Sequence, residues 1–232
     1  MLVEEARTVA QAVQERLSAD ILSGRLQPGA RLRLHNLCTA FSVSMSPLRE
    51  ALAGLTGLGL VVQEGQRGFR VASTSDDDLR DLLDTRVRLE IQALRLAIER
   101  GGAEWEASIL AAHHQLMRHP RTPDKLVDEE WERLHRRFHL ALIEACGSPR
   151  QLSFCLALHD HFDRYRRIAV LRSGRHPSLR LSHAELVESV VEKDVERASN
   201  LLTAHIRESA AAFVKLAGPE GFSSKGNGNG MG

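Results

Sequence analysis

Between Ser75 and Leu216 apolar residues recur at intervals of three and four through six successive segments, and no stretch in that span alternates as a half-buried strand would. Ser75 is a helix-capping residue. Asp76, Asp77 and Asp78 follow it, where the positive end of a helix dipole favours acids. Leu79, Leu82, Leu83, Val87, Leu89, Ile91, Leu94 and Ala97 then carry a long helix to Arg100, and Gly101-Gly102 stops it. Further helices are predicted over about 103–117, 125–145, 149–172, 178–191 and 195–216, with Pro120, Pro123 and the stretch Ser173 to Pro177 as loops, Gly147 as a C-cap and Asp194 as an N-cap. Six helices without a strand bury their apolar faces only against one another, so an all-α helical bundle is expected over 76–216. Composition agrees, because only ten residues are aromatic and the apolar 43% is mostly Leu, Ala and Val.

The first 75 residues read differently. Val9, Val13, Leu17, Ile21 and Leu22 predict a helix from about Thr8 to Ser23, ended by Gly24. Leu26-Gln27-Pro28-Gly29 is a turn, Leu32 and Leu34 a short extended piece, and Leu37, Ala40 and Phe41 a second short helix. Ser42-Val43-Ser44 links it tightly to a third helix. There Ser46 is taken as the cap and Pro47 as the first helical residue, with Leu48, Ala51, Leu52 and Leu55 on one face and Arg49 on another. Two short helices joined so closely form a helix-turn-helix. Residues 57–62 and Phe69-Arg70-Val71 then flank the Gly-rich, basic loop 63–68, which reads as a β-hairpin. A hairpin behind a helix-turn-helix is a wing, and Arg67 at its tip suits a minor groove or a phosphate.

The segment Ile21-Leu22-Ser23-Gly24-Arg25-Leu26-Gln27-Pro28-Gly29-Ala30-Arg31-Leu32 resembles the "I-x-x-G-x-x-x-P-G-x-x-L" pattern of GntR-type winged-helix regulators. Ser44-Met45-Ser46-Pro47-Leu48-Arg49-Glu50-Ala51-Leu52 is similar to their "S-R-T-P-V-R-E-A-L", and Arg67-Gly68-Phe69-Arg70-Val71 to their wing. The resemblance implies a winged helix-turn-helix over 1–75 that contacts double-stranded DNA through Arg33, Ser44, Met45, Ser46, Pro47, Arg49, Arg67 and Gly68. It also implies a homodimer on a palindromic operator, because one short helix reads few base pairs. Met45 stands where the family usually has an arginine, and a thioether cannot donate a hydrogen bond to guanine.

Histidines carry the chemistry of the second part. His135 and His139 are spaced i,i+4 on one helix face, and His183 and His205 lie on two later helices. Spacing alone leaves two readings, surface or core histidines, and ligands of a divalent metal. Residues 134–143 resemble "D-x-x-F-H-x-x-L/I" of the FCD effector domain of FadR-type GntR regulators. Ser182-His183-Ala184-Glu185-Leu186 resembles its "E-H-x-x-I/L", and Asp194 to Ala198 with His205-Ile206 its "D-x-x-x-A … H-I/L". The resemblance implies metal ligation by His139, His183 and His205. His135 falls where most members carry an aspartate, so it either becomes a fourth, neutral ligand or turns away. Imidazole donors suit zinc, with nickel as an alternative.

Arg86, in a stretch similar to the family's "R-x-x-L-E", is implied to face a small carboxylate effector. The other reading of Arg86 is an exposed arginine paired with Glu90. Arg164 and Tyr165 are further effector candidates, Arg166-Arg167 is read as a solvated face, and Trp105 and Trp131 as packing residues.

Net charge is +1, divided as 8 basic against 6 acidic residues up to Ser75 and 23 against 24 beyond it, which neither demands nor forbids nucleic acid. Cys38, Cys146 and Cys155 have no paired spacing, no export segment or membrane span is visible, and a cytoplasmic protein with reduced thiols is expected. Residues 217–232 are rich in Gly, Ser and Asn and are expected to be a disordered tail. The leading expectation is a ligand-responsive transcription regulator, a repressor by its resemblance to the family, and no enzyme. Two alternatives stand beside it: a metal-dependent hydrolase using Glu185, and a DNA-binding protein with a metal-free dimerisation domain. The zinc-protease, Gly-x-Ser-x-Gly and phosphate-loop patterns are absent, which argues against the hydrolase.

Overall fold

The computed structural model describes residues 8–65, 68–119, 128–174, 183–218 and 221–222. They divide into two compact units, one formed by the described residues up to Ser75 together with Phe222, the other by those of Asp76–Gly221.

The first unit runs α1 (Val9–Leu22), β1 (Arg31–Leu32), α2 (Leu34–Phe41), α3 (Met45–Gly57), β2 (Val61–Gln63) and β3 (Phe69–Val71). Thr8 opens α1 with a capping box: its hydroxyl accepts from the Gln11 N–H at 3.1 Å, and the Gln11 side chain accepts from the Thr8 N–H at 2.8 Å. The 3.6-residue period of α1 buries Val13, Leu17 and Ile21 with Leu48, Ala51, Leu52 and Leu55 of α3. Each such leucine contributes about 1.5–3 kcal/mol by leaving water. The three strands form an antiparallel sheet in the order β1-β3-β2, with Leu32 opposite Phe69 and Val62 opposite Arg70. Val61, Phe69 and Val71 face the core.

Two local expectations are corrected here. Leu34 is not extended but opens α2, with Arg33 as its N-cap. Helix α3 begins earlier than the Ser46-Pro47 reading, with Ser44 as N-cap and Met45 as its first residue. Pro47 therefore sits third in the helix. It is tolerated there because a first-turn N–H would have had no partner within the helix.

The second unit contains α4 (Asp76–Arg100), α5 (Ala103–Arg118), α6 (Glu129–Ile143), a 3-10 turn (Glu144–Cys146), α7 (Pro149–Ser173), α8 (His183–Val191) and α9 (Val195–Ala217). Helix α4 packs on α7 and α9, α5 on α6, and α8 on α9. Their shared core includes Leu94, Ile98, Ile109, Phe138, Leu142, Val190, Leu202 and Ile206. Asp128, Ser148 and Asp194 cap α6, α7 and α9, each accepting a backbone N–H from the first turn. Gly147 reverses the chain after the 3-10 turn at φ 74°. A Cβ there would lie 2.6 Å from the Arg100 guanidinium, which holds the Cys146 carbonyl at 2.5 Å. Trp105 is a packing residue whose indole donates to the Ala141 carbonyl at 2.8 Å.

The three cysteines are unpaired. No described helix is long and apolar enough to cross a membrane. The proline loop at 120 and 123, the helix starts expected at 125 and 178, and most of the expected tail lie outside the described residues. Phe222 departs from the disordered-tail expectation: it is fully buried, and its carbonyl accepts from the Thr74 hydroxyl at 2.8 Å.

Candidate nucleic-acid interface and metal centre

Helices α2 and α3 are joined through Ser42, which takes the left-handed conformation (φ 54°) while its N–H bonds back to the Cys38 and Thr39 carbonyls. The turn sets α3 against α1 through its leucine face and leaves Ser44, Met45, Ser46 and Arg49 exposed, with Pro47 half-buried and Arg33 exposed at the head of α2. The Ser44 side chain makes no cap bond. The first-turn N–H groups of α3 are thus available to an anion, as at other helix N-termini that meet phosphate. Behind α3 the β2–β3 hairpin closes with the Gly68 carbonyl accepting from the Glu64 N–H at 2.8 Å. Arg70 braces the hairpin through Glu64 at 2.8 Å and the Gly29 carbonyl at 3.0 Å. Arg67 lies outside the described residues.

In the second unit the four predicted histidines converge. His135 and His139 come from successive turns of α6, His183 opens α8 and His205 lies mid-way along α9. All four are buried, and one nitrogen from each falls within 4.8 Å of the others. The His139 Nε2 is 3.2 Å from the His135 Nε2 and 3.1 Å from the His205 Nε2. With metal–nitrogen bonds of about 2.0–2.1 Å, neighbouring donors around one ion lie roughly 3.0–3.4 Å apart, so these spacings fit a shared divalent cation. Two further nitrogens, His139 Nδ1 and His183 Nε2, are buried without a hydrogen-bond partner. His135 thus turns inward, and Trp131 stacks on it at 4.6 Å with 15° between the planes.

Burial, reinforced by the charge of Arg166 and by the neighbouring imidazoles, holds His135 well below its ordinary pKa. His139 is lowered likewise by burial and then by His135 and His205. Burial also brings His183 to about 4 and His205 to about 3. At neutral pH these imidazoles are uncharged and keep lone pairs for a cation.

The cavity beside them is also lined by Arg86, His159, Phe162, Asp163, Arg166 and Ser209. Its volume is about 10 Å³, room for one water- or ion-sized occupant rather than an organic molecule. Arg86 is buried, not exposed, and both readings of it meet in the geometry: it lines the cavity and is paired with Glu90. Its Nε donates to Glu90 Oε1 at 2.7 Å, and its Nη2 lies 3.1 Å from His159 Nε2. Burial pushes the Glu90 carboxyl up, but Arg86 and His159 outweigh it and hold the group at about 2. Glu90, His139 and His159 form a second group of convergent ligand atoms.

Two expectations fail. Arg164 and Tyr165 are buried but do not line this cavity, and the Tyr165 hydroxyl instead donates to Asp78. Arg166 is not on a solvated face. It is buried over the rings of Trp131 and Phe213, each 5.4 Å away, and donates to Glu132 at 2.7 Å and Asp163 at 2.8 Å. Glu185, the acid named for a hydrolase, is exposed on α8.

The FCD domain family matches residues 81–208, more than half the chain, and the gntR family of bacterial regulatory proteins matches residues 9–71. The chain belongs to the GntR family of regulators, with an FCD domain. The GntR–FCD chain is 38% identical over 220 residues to the uncharacterized HTH-type transcriptional regulator BphR of Paraburkholderia xenovorans (strain LB400), covering 93% of this chain and 89% of that one. It is 37% identical over 196 residues to the HTH-type transcriptional repressor GlaR of Escherichia coli (strain K12), covering 82% and 89%. A GntR family member from Pseudomonas syringae superposes with TM-score 0.53 at 28% identity, covering 89% and 85%. E. coli McbR/YncC shares the fold with TM-score 0.68 at 20% identity, covering 90% and 98%. This GntR–FCD protein is accordingly a ligand-responsive, DNA-binding transcription regulator.

His159, Arg166 and Glu90 lie outside the site residues expected from the sequence, although a signal for two of them exists in α7. Cys155, His159, Phe162, Arg166 and Ala169 recur at four- and three-residue spacing and are all buried, so one inward face of α7 carries both polar residues.

Proposed function

We propose that this GntR–FCD regulator is a cytoplasmic, homodimeric repressor that reads a palindromic operator and is released from it by a small carboxylate. The carboxylate is sensed at a divalent metal, zinc in the first place and nickel as the alternative, held by His135, His139, His183 and His205. The observation that carries the sensing half is the convergence of four buried, uncharged imidazoles, with His135, His139 and His205 also lining an ion-sized cavity. The exposed row on α3, with Arg33 beside it and the Gly68 wing behind it, supports the DNA half.

A divalent ion at such a centre supplies a Lewis-acidic position for one carboxylate oxygen. The chain's own residues supply the rest. Arg86 presents a buried cation at the cavity wall, Phe162 and Ile206 exclude water, and Trp131 holds the His135 ring in place. Because the cavity is ion-sized, an effector enters only if the wall formed by α7 and α9 moves. A ligand that requires such movement has the differential affinity between two states that a switch needs. Arg164 and Tyr165 are left out of this effector site.

The test uses protein purified without a histidine tag. Metal analysis should find one divalent ion per chain, lost in His139→Ala, and a gel shift should show one operator fragment bound more tightly than random DNA at physiological salt. A carboxylate should then weaken that complex in the metal-loaded protein only. Metal-free protein whose DNA binding responds equally to the carboxylate would sink the sensing half.

A further inference from the structure

Helix α9 has a second concave neighbour. His205, Ile206 and Ser209 line the histidine cavity, whereas Arg207, Ala210, Ala211 and Val214 line an open groove between α9 and the first half of α4. At about 100° per residue the two sets point about 150° apart, so they occupy opposite faces of the helix. The groove has a volume of about 640 Å³. Sites for small organic molecules run to about 300–1,000 Å³, and the histidine cavity holds only about 10 Å³. Leu79 and Leu83 of α4 form the groove floor together with Ala210, Ala211 and Val214. The two alanines make the depression, and Ala211 and Val214 leave apolar surface open to water.

The charges around this floor are unequally committed. Arg80 is held by Asp77 at 2.5 Å, and the Asp76 carboxylate lies against Gly221. Arg207 meets Asp84 only at 3.5 Å, with both side chains more than half exposed, so it is easily re-aimed. Lys215 makes no ion pair among the described residues. The open charge of the groove is therefore a cation at one end of an apolar floor.

We propose that the α4–α9 groove is a ligand site separate from the histidine centre, and that it takes a hydrocarbon carboxylate whose anionic end meets Lys215 and whose apolar body lies along Leu79, Leu83, Ala210, Ala211 and Val214. Arg207 to Lys215 spans about 12 Å of helix, which an extended chain of about ten carbons matches at bonds of about 1.5 Å. Protein occupants fit less well. Ten residues line the groove, whereas a stable protein interface takes about 20–30 a side. The chain's own end, residues 223–232, offers one apolar side chain, Met231, and brings a cation, Lys225, to a cationic rim. The proposal needs no metal and stands apart from the sensing reading above.

The experiment is calorimetric titration of the full-length protein with decanoate, octanoate and decyltrimethylammonium, once stripped of metal and once zinc-loaded. Decanoate should bind once per chain, equally well in both forms. It should bind about fourfold more tightly than octanoate, the factor that half-burying two more methylenes gives. It should also bind about fivefold more tightly than decyltrimethylammonium, the upper end for an exposed ion pair. Lys215→Glu should reverse the preference between decanoate and the decyl cation. Ala211→Trp fills the depression and should abolish binding of both. Positions 211 and 215 are both exposed, so neither change disturbs the core. Decanoate binding that depends on zinc, or that is lost in His139→Ala, belongs to the histidine centre and overturns the proposal. Binding unchanged in both Lys215→Glu and Ala211→Trp overturns it as well. So does a wild-type chain that binds no decanoate; if Ala211→Trp then turns a dimer into monomers in sedimentation, the groove belongs to a second copy of the chain. Failure of the metal reading would leave decanoate binding to the stripped protein intact, so the two are told apart.

Discussion

The two units of this regulator place the residues proposed to bind DNA and metal on opposite sides of the water boundary. In the first, Ser44, Met45, Ser46 and Arg49 are exposed, and Leu48, Ala51, Leu52 and Leu55 of the same helix do the packing. In the second, four histidines, Arg86, Glu90 and Arg166 are themselves part of the interior. A surface reader can change its contacts without changing its stability, whereas a buried sensor cannot change a charge without changing both. Breaking the buried set should therefore register first in folding, and breaking the exposed set only in binding.

The largest effect is expected at Arg166. Replacing it by Met keeps the apolar contacts with Trp131 and Phe213 but leaves Glu132 and Asp163 facing each other's charge near the core. Removing one partner of a buried pair typically costs about 3–5 kcal/mol. Both tryptophans, Trp105 and Trp131, lie in the second unit, so denaturant unfolding followed by tryptophan fluorescence reads that unit alone. A loss below about 1 kcal/mol would show that Arg166 behaves as a surface arginine and would erase the contrast between the units.

Acid should act on the second unit in the same direction. His183 at about 4 and His205 at about 3 bind protons more weakly in the folded chain than in the unfolded one. Above about pH 6.5 neither state is protonated there and the full stability is present. As pH falls below that value the unfolded chain takes up protons first, and stability is lost progressively until the folded-state values are reached. Between about pH 7 and pH 5 the metal-free protein should lose on the order of 2 kcal/mol for each such imidazole, at about 1.4 kcal/mol per pH unit. His205→Gln should flatten the fluorescence-monitored pH dependence; an unchanged slope in that variant would mean that other groups govern it.

At the exposed reader, Arg49→Ala is expected to leave the unfolding midpoint of the chain unmoved and to weaken operator binding by about tenfold, with a shallower salt dependence if the lost contact was to phosphate. Fluorescence anisotropy at several salt concentrations separates that outcome from loss of a base contact, which would show as relaxed sequence preference at constant slope.

How far each unit could be read from its sequence follows from the same contrast. The apolar periodicity of α4, α7 and α9 announced a bundle because each helix has one continuous inward stripe. The i,i+4 pair His135 and His139 announced two imidazoles on one face. What periodicity cannot express is which polar residues the stripe includes. Arg166 stands beside Arg167 in an Arg-rich run and reads as solvent-facing by composition, whereas its register with Cys155, His159 and Phe162 puts it inside. Arg164 and Tyr165 failed for the complementary reason. They are one and two positions away from that register, and one residue turns a helix by about 100°, enough to leave the cavity. Convergence of α6, α8 and α9 on one point is a tertiary fact that spacing along a single helix does not contain; the likeness of three short motifs to the FCD domain supplied it. In the first unit the start of α3 was misplaced because Ser44 and Ser46 are equally good caps, and Pro47 is compatible with either choice.

That shift of the helix start bears on Met45. As the first residue of α3, and exposed, it stands at the end of the helix that would enter a major groove, and it offers only an apolar contact. Met45→Arg places a five-donor fork at the same exposed position, where no neighbour has to move to accept it. Stability should stay within about 0.5 kcal/mol of wild type, as for other surface changes. Operator choice should move: in a selection from random duplexes, the variant should gain a guanine at one symmetric pair of positions and discriminate against the wrong base by about tenfold, the low end of a bidentate arginine contact. If the selected sequence is unchanged while affinity rises for all duplexes alike, residue 45 reaches phosphate rather than base edges. The reading register of α3 would then have to be moved along the helix towards Arg49.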